Sequence, residues 1–278
     1  MNSSIKPLLL GAMLLTPVFS SYAGQPVMSE VPRWDGGYGY QVFQERRESS
    51  QLMNGSFELA NPNGLNYEKN ITHIEGVYTW KKWIRATLKI PLVDQTRTVL
   101  DSQGNVITQR GTGNDDITLA LPLKYYMNRP RSSGNFSFTP QVRFGGDDND
   151  PYRISDGSTD FGASLSWEHE TTDLVLGFGA GYWFESAAGK KDDWSLHTEV
   201  GWNFHERGSL RWETDYKKDP NKYLWLGSGP ILAWNFNDTI LARIEYKKEL
   251  KAETYFPSSN GIGLTRGDVL RIGVGFVF

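Results

Sequence analysis

Apolar and polar side chains alternate with period two along most of the chain, in segments 37–46, 71–80, 83–93, 115–126, 135–145, 159–169, 173–184, 194–204, 209–218, 222–234, 239–248 and 269–278. In 83–93, Ile84, Ala86, Leu88, Ile90 and Leu92 oppose Arg85, Thr87 and Lys89. In 269–278, Leu270, Ile272, Val274 and Phe276 oppose Arg271, Gly273 and Gly275. Period-two alternation predicts β-strands with one apolar and one polar face. Segments of roughly ten residues have the length that a tilted strand needs to cross a bilayer. Only 222–234 is irregular, because Pro230 and neighbouring apolar residues blur its phase.

The connections alternate as well. Those at 81–82, 170–172, 205–208 and 235–238 are short, whereas the other set is mostly long, at 47–70, 94–114, 146–158, 185–193 and 249–267, with a compact turn at 219–221. Trp80, Trp83, Tyr125, Trp167, Trp202, Phe204 and Phe278 fall near the short turns, and Tyr182, Trp194, Tyr216, Trp225 and Tyr246 near the long loops. Two aromatic girdles, alternating turn lengths and an even strand number predict an all-β fold, an antiparallel up-and-down transmembrane β-barrel of about 12 strands. A soluble lipocalin-like barrel or a sandwich shows the same alternation with its apolar face inward, so the direction of burial separates the two.

The N-terminus reads as a leader. Lys6 precedes an apolar core at 8–15, and small residues at Ser21 and Ala23 suit cleavage after Ala23. The expected organisation is a signal peptide over 1–23 and one barrel domain over 24–278, with an irregular arm at 24–36 that carries Pro26 and Pro32. No later stretch reaches about 18 consecutive apolar residues, so no helical span is expected, and a membrane-spanning chain without one is a barrel.

Composition sharpens this only in places. The apolar share of 38% and the charged share of 22% would suit a soluble protein, but a barrel with a polar lumen has the same balance. The net charge of −3 gives no reason to expect nucleic acid as a partner. Absence of Cys excludes disulfides, thiolate metal sites and a Cys nucleophile.

Two stretches resemble a known family. The segments 111–126, GTGNDDITLALPLKYY, and 83–93, WIRATLKIPLV, resemble the bacterial outer-membrane family named after the meta-pathway of phenol degradation, the MetA-type transporter-like proteins. The family pattern reads GxGDxxLxxKY, and Asn114 inserts one residue between glycine and acid here. The resemblance implies an outer-membrane barrel that passes small solutes, aromatic or hydrophobic ones among them, and it brings no catalytic residues. Resemblance to outer-membrane proteins in general implies that the closing strand, with Phe276 and Phe278, is the address read by the barrel-assembly machinery.

The polar faces carry the candidate chemistry. On this phasing the lumen holds Arg85, Lys89, Lys124, Arg143, Arg211, Lys217, Arg243, Lys247 and Arg271, against Glu75, Asp116, Asp160, Glu168, Glu199, Glu213, Asp215 and Glu245. The signs nearly balance, which points to ion pairs bracing the wall as much as to selectivity. Arg271 is expected to pair with Glu45 or Glu245. Gly177, Gly179 and Gly181 alternate within one strand, so they form a bare lumen strip, open to solute or to the 24–36 arm as a plug. They are not a dinucleotide loop, which needs a turn and a helix.

Ser195, His197 and Glu199 share a strand face and raise a lipase or esterase barrel. Residues two apart on a strand lie ~6.5–7 Å apart, too far for a nucleophile–base hydrogen bond. Asp147, Asp148, Asp150 and Asp156 crowd one loop without EF-hand spacing, so a solvated loop or a cation site remains open there. No cofactor motif and no catalytic-metal spacing is recognised.

The reading is a monomeric, narrow, passive channel of the bacterial outer membrane. Its partners are outer-membrane lipid, lipopolysaccharide, the assembly machinery and a small-molecule solute. A porin for acidic oligosaccharides, a barrel enzyme and a structural or adhesive barrel stay open as alternatives.

Overall fold

The computed structural model describes residues 35–100, 105–146, 154–155, 157–187, 189–255 and 262–278. The expected leader, nearly all of the arm with Pro26 and Pro32, and the acidic residues Asp147, Asp148, Asp150 and Asp156 lie outside the described residues.

The strands are β1 (Gly37–Ser49), β2 (Leu52–Asn54), β3 (Phe57–Leu59), β4 (Asn66–Lys81), β5 (Ile84–Leu100), β6 (Val106–Asn114), β7 (Ile117–Ala120), β8 (Leu123–Arg129), β9 (Ser132–Phe144), β10 (Thr159–Thr171), β11 (Leu174–Phe184), β12 (Asp193–His205), β13 (Gly208–Asp219), β14 (Tyr223–Asn235), β15 (Ile240–Thr254), β16 (Ile262–Leu264) and β17 (Asp268–Val277). Each long strand pairs antiparallel with its sequence neighbour, and β17 closes on β1.

β7 and β8 form one stave, interrupted at Leu121–Pro122. The register is the same on both sides of the break, with Thr87 opposite Ala120 and Ile84 opposite Leu123. Proline has no N–H to give to the ladder, so the pairing lapses there without a slip. Counted this way the barrel has the twelve staves that the alternation predicts.

Burial runs in the direction that a lipid-facing wall requires. Tyr38, Leu88, Tyr125, Phe161, Leu165, Trp202 and Ile272 point outward and are exposed, whereas Glu45, Glu75, Arg85, Asp160, Glu245 and Lys247 point inward and are buried. This arrangement inverts a soluble barrel. On β5 the outward apolar run ends at Leu92, and Asp94 is the next outward residue. That change of chemistry marks the edge of the apolar band toward the long connections.

Three connections are more ordered than loops. β5 continues to Leu100 and pairs with β6, making a hairpin of residues assigned above to the 94–114 loop. β2 pairs with both β3 and β16, so the first and last long connections join in a small separate sheet. Both elements lie beyond the apolar band, so polar residues occupy both of their faces and leave no period-two signal.

β14 corrects one expectation. Trp225 is not part of the outer girdle: it is 2% exposed and faces inward, donating through Nε1 to the Gly267 carbonyl at 3.1 Å. The register of β14 against β15 shifts between Leu226 and Gly227, and Pro230 has no partner there. A proline fits where the ladder is already broken.

Candidate functional site

The lumen is built from the inward residues of every stave, and three groups of ions organise it. The first crosses the seam where β17 meets β1. Arg271 reaches Glu45 at 2.6 Å and Glu245 at 3.0 Å, so it pairs with both expected partners. Arg47 also holds Glu45, and His73 Nε2 lies 3.3 Å from it. Glu245 receives Arg243 at 2.7 Å and Lys247 at 3.0 Å. Lys247 then spans β14 to reach Glu213 and Asp215, both at 2.7 Å.

That span depends on glycine. Gly229 pairs with Glu213, and a Cβ added there would lie 2.0 Å from the Tyr246 carbonyl oxygen. With no side chain on this part of β14, the ammonium of one flanking strand meets the carboxylates of the other.

The second group fills the lumen at the short-turn end. Arg211 binds Glu199 at 2.6 Å, Lys124 lies 3.9 Å from Glu168, and Asn203 donates to Glu170 at 3.0 Å. Arg85 is buried at the same end. Gly177 sits between Glu168 and Glu199 on the neighbouring strands, so the glycine leaves room for long charged side chains on either side. Of the three strand glycines, Gly181 lines the cavity described next, and Gly177 and Gly179 do not.

The third group surrounds Arg143 near the long loops. Its guanidinium contacts Asp160 at 2.8 Å, Asp116 at 3.5 Å, Asp193 at 3.6 Å and, closely, Glu185. It also lies over the Trp183 ring, 4.7 Å from the centroid. The residues of the recognised segment support this corner: Asp115 pairs with Lys69 at 2.9 Å, and Ser155 donates to Asp116 at 2.6 Å.

Between these groups lies a cavity of about 1650 Å³. It runs from the long-loop end down the wall of β1, β15 and β17, where Leu241, Gly273 and Gly275 line it. Lys89, Arg143, Glu213, Arg243 and Arg271 also line it, whereas Arg85, Lys124, Arg211 and Glu245 sit outside its lining.

Its charge differs from the near balance read along the strands. Among the described lining residues, thirteen Lys and Arg face eight Asp and Glu. Two effects produce the excess. Asp160, Glu168, Glu199 and Glu245 lie behind the surface against three cations that do so, Arg85, Lys124 and Arg211, while the cations Arg47, Lys69, Arg97, Lys190, Lys218, Lys222 and Arg266 join it against four acids, Glu45, Asp115, Asp193 and Asp219. These seven cations fall beyond the apolar band, on strand extensions and connections. Continuation of the inward alternation past the last outward apolar residue, as at Arg47 two positions after Glu45, was the available signal.

The triad expectation meets a different geometry. His197 Nδ1 lies 2.6 Å from Asp215, its Nε2 lies 3.8 Å from Glu199, and Ser195 Oγ projects toward Gly181. Ligand atoms of His197, Glu199 and Glu213 come within 4.8 Å of one another, close enough to hold a metal ion. Spacing along the chain did not reveal this set, because it joins two strands. Arg211 and Lys247 already engage its two carboxylates, so the set belongs to the ion-pair network.

At the seam, Phe276 stacks on Tyr40 at 5.0 Å and Phe278 on Tyr38 at 5.4 Å between centroids. The outward aromatics of β17 thus join those of β1.

No family model matches the chain, and no curated protein is detectably similar to it in sequence. Solved structures are similar in fold. An outer membrane channel from Pseudomonas putida F1 superposes with a TM-score of 0.69 at 12% identity, over 92% of this chain and 98% of that one. The KdgM porin in complex with disordered oligogalacturonate reaches a TM-score of 0.49 at 11% identity, over 86% and 99%. The NanC porin reaches 0.49 at 14% identity, over 85% and 98%. The chain shares its fold with the first of these over nearly the whole of both.

Proposed function

We propose that the protein is a passive channel of the bacterial outer membrane for small polar or charged solutes. One observation carries the reading: a closed barrel with an apolar exterior encloses a charge-lined cavity of about 1650 Å³. A lipid-facing wall gives such a barrel its place, and a wall of fixed charges gives diffusing solutes a path of defined electrostatics. The short-turn end is filled by buried ions, and among the described residues the cavity reaches down along β1, β15 and β17, which supports a narrow passage on that side.

Several further points belong to the same reading. The chain works as a monomer among outer-membrane lipid and lipopolysaccharide, and the assembly machinery inserts it through the β17 strand. Likeness of 83–93 and 111–126 to the MetA-type family supports membership in a transporter-like group. His197 is engaged by Asp215 and Glu199, which supports a structural role for it over that of a base for Ser195.

The test is planar-bilayer recording of the refolded protein, with fractionation of cells that express it. Discrete conductance steps and recovery in the outer-membrane fraction are expected. Sealed bilayers at every voltage, with folded protein present, would sink the channel reading.

A further inference from the structure

Arg266 and Lys217 differ from the cavity cations of the three ion groups. Arg143, Arg211, Arg243 and Arg271 each meet a carboxylate, but neither Arg266 nor Lys217 makes an ion pair among the described residues. Arg266 donates to the Tyr223 hydroxyl at 2.9 Å and lies over the rings of Tyr223 and Trp225, 5.4 and 5.0 Å from their centroids. Its Nε is buried without a hydrogen-bond partner.

The carboxylates whose fields reach Arg266 are Glu45 and Glu249. Glu45 is held by Arg271 and Arg47, and Glu249 accepts from the Gly267 amide at 2.8 Å. Lys217 lies opposite Trp225 in the β13–β14 register, in the positive fields of Arg266, Arg271 and Arg47, and Asp215 is the carboxylate that acts on it most strongly. Lys247 and His197 already engage that carboxylate.

The placement is built into the backbone. Gly267 has φ of 76°, and a Cβ there would lie 1.8 Å from the Glu48 carbonyl oxygen. Only glycine fits this turn, and it sets Arg266 between β16 and β17 and offers its carbonyl to Trp225. A guanidinium held over two rings, with a donor facing no acceptor, is preorganised for a planar anion.

We infer that Arg266 and Lys217 form a binding seat for small organic carboxylates on the cavity wall. Burying cations without partners is costly, and a solute carboxylate supplies the missing acceptor. The seat gives the channel a preference for anions and a point where they pause. For its role in passage this deepens the channel reading and rests on it; the binding itself does not.

Potassium succinate serves as the anionic probe, with succinamide and putrescine as neutral and cationic analogues of similar length. Isothermal titration on the refolded barrel reads the seat without any need for conductance. Wild type should bind succinate, and Arg266→Gln with Lys217→Gln should lose at least about tenfold in affinity, the loss expected when charge-assisted hydrogen bonds go. Arg266→Lys should retain part of it. Arg110→Gln, on the outer hairpin and away from the cavity lining, should bind as wild type does.

In planar bilayers the reversal potential should favour chloride over potassium, and succinate should interrupt single-channel current in wild type only. Putrescine binding as well as succinate, or a double variant with wild-type affinity, would overturn the seat while leaving a conducting channel intact. Silence in the bilayer with retained succinate binding would overturn the channel and leave the seat.

Discussion

Two arginines that line one cavity lie over tryptophans, and their surroundings differ in kind. Arg143 over Trp183 has four carboxylates about it. Arg266 over Trp225 has a tyrosine hydroxyl and a buried, unengaged Nε. The first is an internal cross-link, its charge consumed by strands β10 and β12 and by the connections before β7 and after β11. The second keeps its charge for whatever enters. An arginine facing a pore is therefore not a selectivity element by position alone. What decides is whether the surrounding strands have already supplied its acceptors.

The comparison predicts opposite outcomes for the same substitution. Arg143→Ala strands several buried carboxylates and should cost about 3–5 kcal/mol of stability, the penalty for breaking a buried pair from one side. Arg266→Ala strands none and should change stability by about 1 kcal/mol or less, the size of one hydrogen bond. Urea midpoints of the two variants, refolded in lipid vesicles, check this; equal shifts would erase the distinction.

A second test changes the charge around Arg266's partner. Lys247→Gln takes the ammonium from Glu213 and Asp215 and leaves His197 on Asp215, which adds net negative charge to the wall that carries Lys217. Selectivity should shift toward cations, read as a change in reversal potential under a salt gradient. Gly229→Val breaks the same bridge by occupying the gap that Lys247 crosses and forcing the Tyr246 carbonyl aside. It should destabilise by about 1–3 kcal/mol, as overpacking does, and a wild-type midpoint would contradict the account of β14.

The smallest effect lies outside the cavity. Arg110 donates to Asp94 at 2.7 Å on the outer hairpin, and this holds the Asp94 carboxyl below its ordinary range. A depressed carboxylate stabilises the fold above its ordinary pKa, and that contribution fades as pH falls through the lowered value. Amide exchange in the β5–β6 hairpin should therefore rise on acidification before exchange in the staves does. Arg110→Ala should abolish that difference.

Much of the wall was legible because lipid imposes a simple rule on it. Each outward position between the aromatic girdles must be apolar, so alternation marked the staves, their even number and the pairing of Arg271. The same rule hid the rest. Above Leu92 on β5 both faces meet water, and the extensions that carry Arg47, Arg97 and the β6 hairpin have no contrast to read. Inside, Trp225 was misplaced because a bulge and Pro230 reset the phase of β14. The nearly balanced sign count along the strands also missed depth: it weighed Asp160 and Glu245, buried behind other ions, equally with Lys217 at the surface of the cavity.

The seam between β1 and β17 has a consequence for how the cylinder shuts. Arg271 lies opposite Glu45, with Phe43 and Arg47 two positions to either side on β1. A one-residue slip turns the lumen charges of β17 toward lipid. A two-residue slip sets Arg271 against a phenyl ring or another guanidinium. The ion pair therefore acts as a vernier, giving the last two strands to meet a single correct alignment among several that their backbones alone would accept.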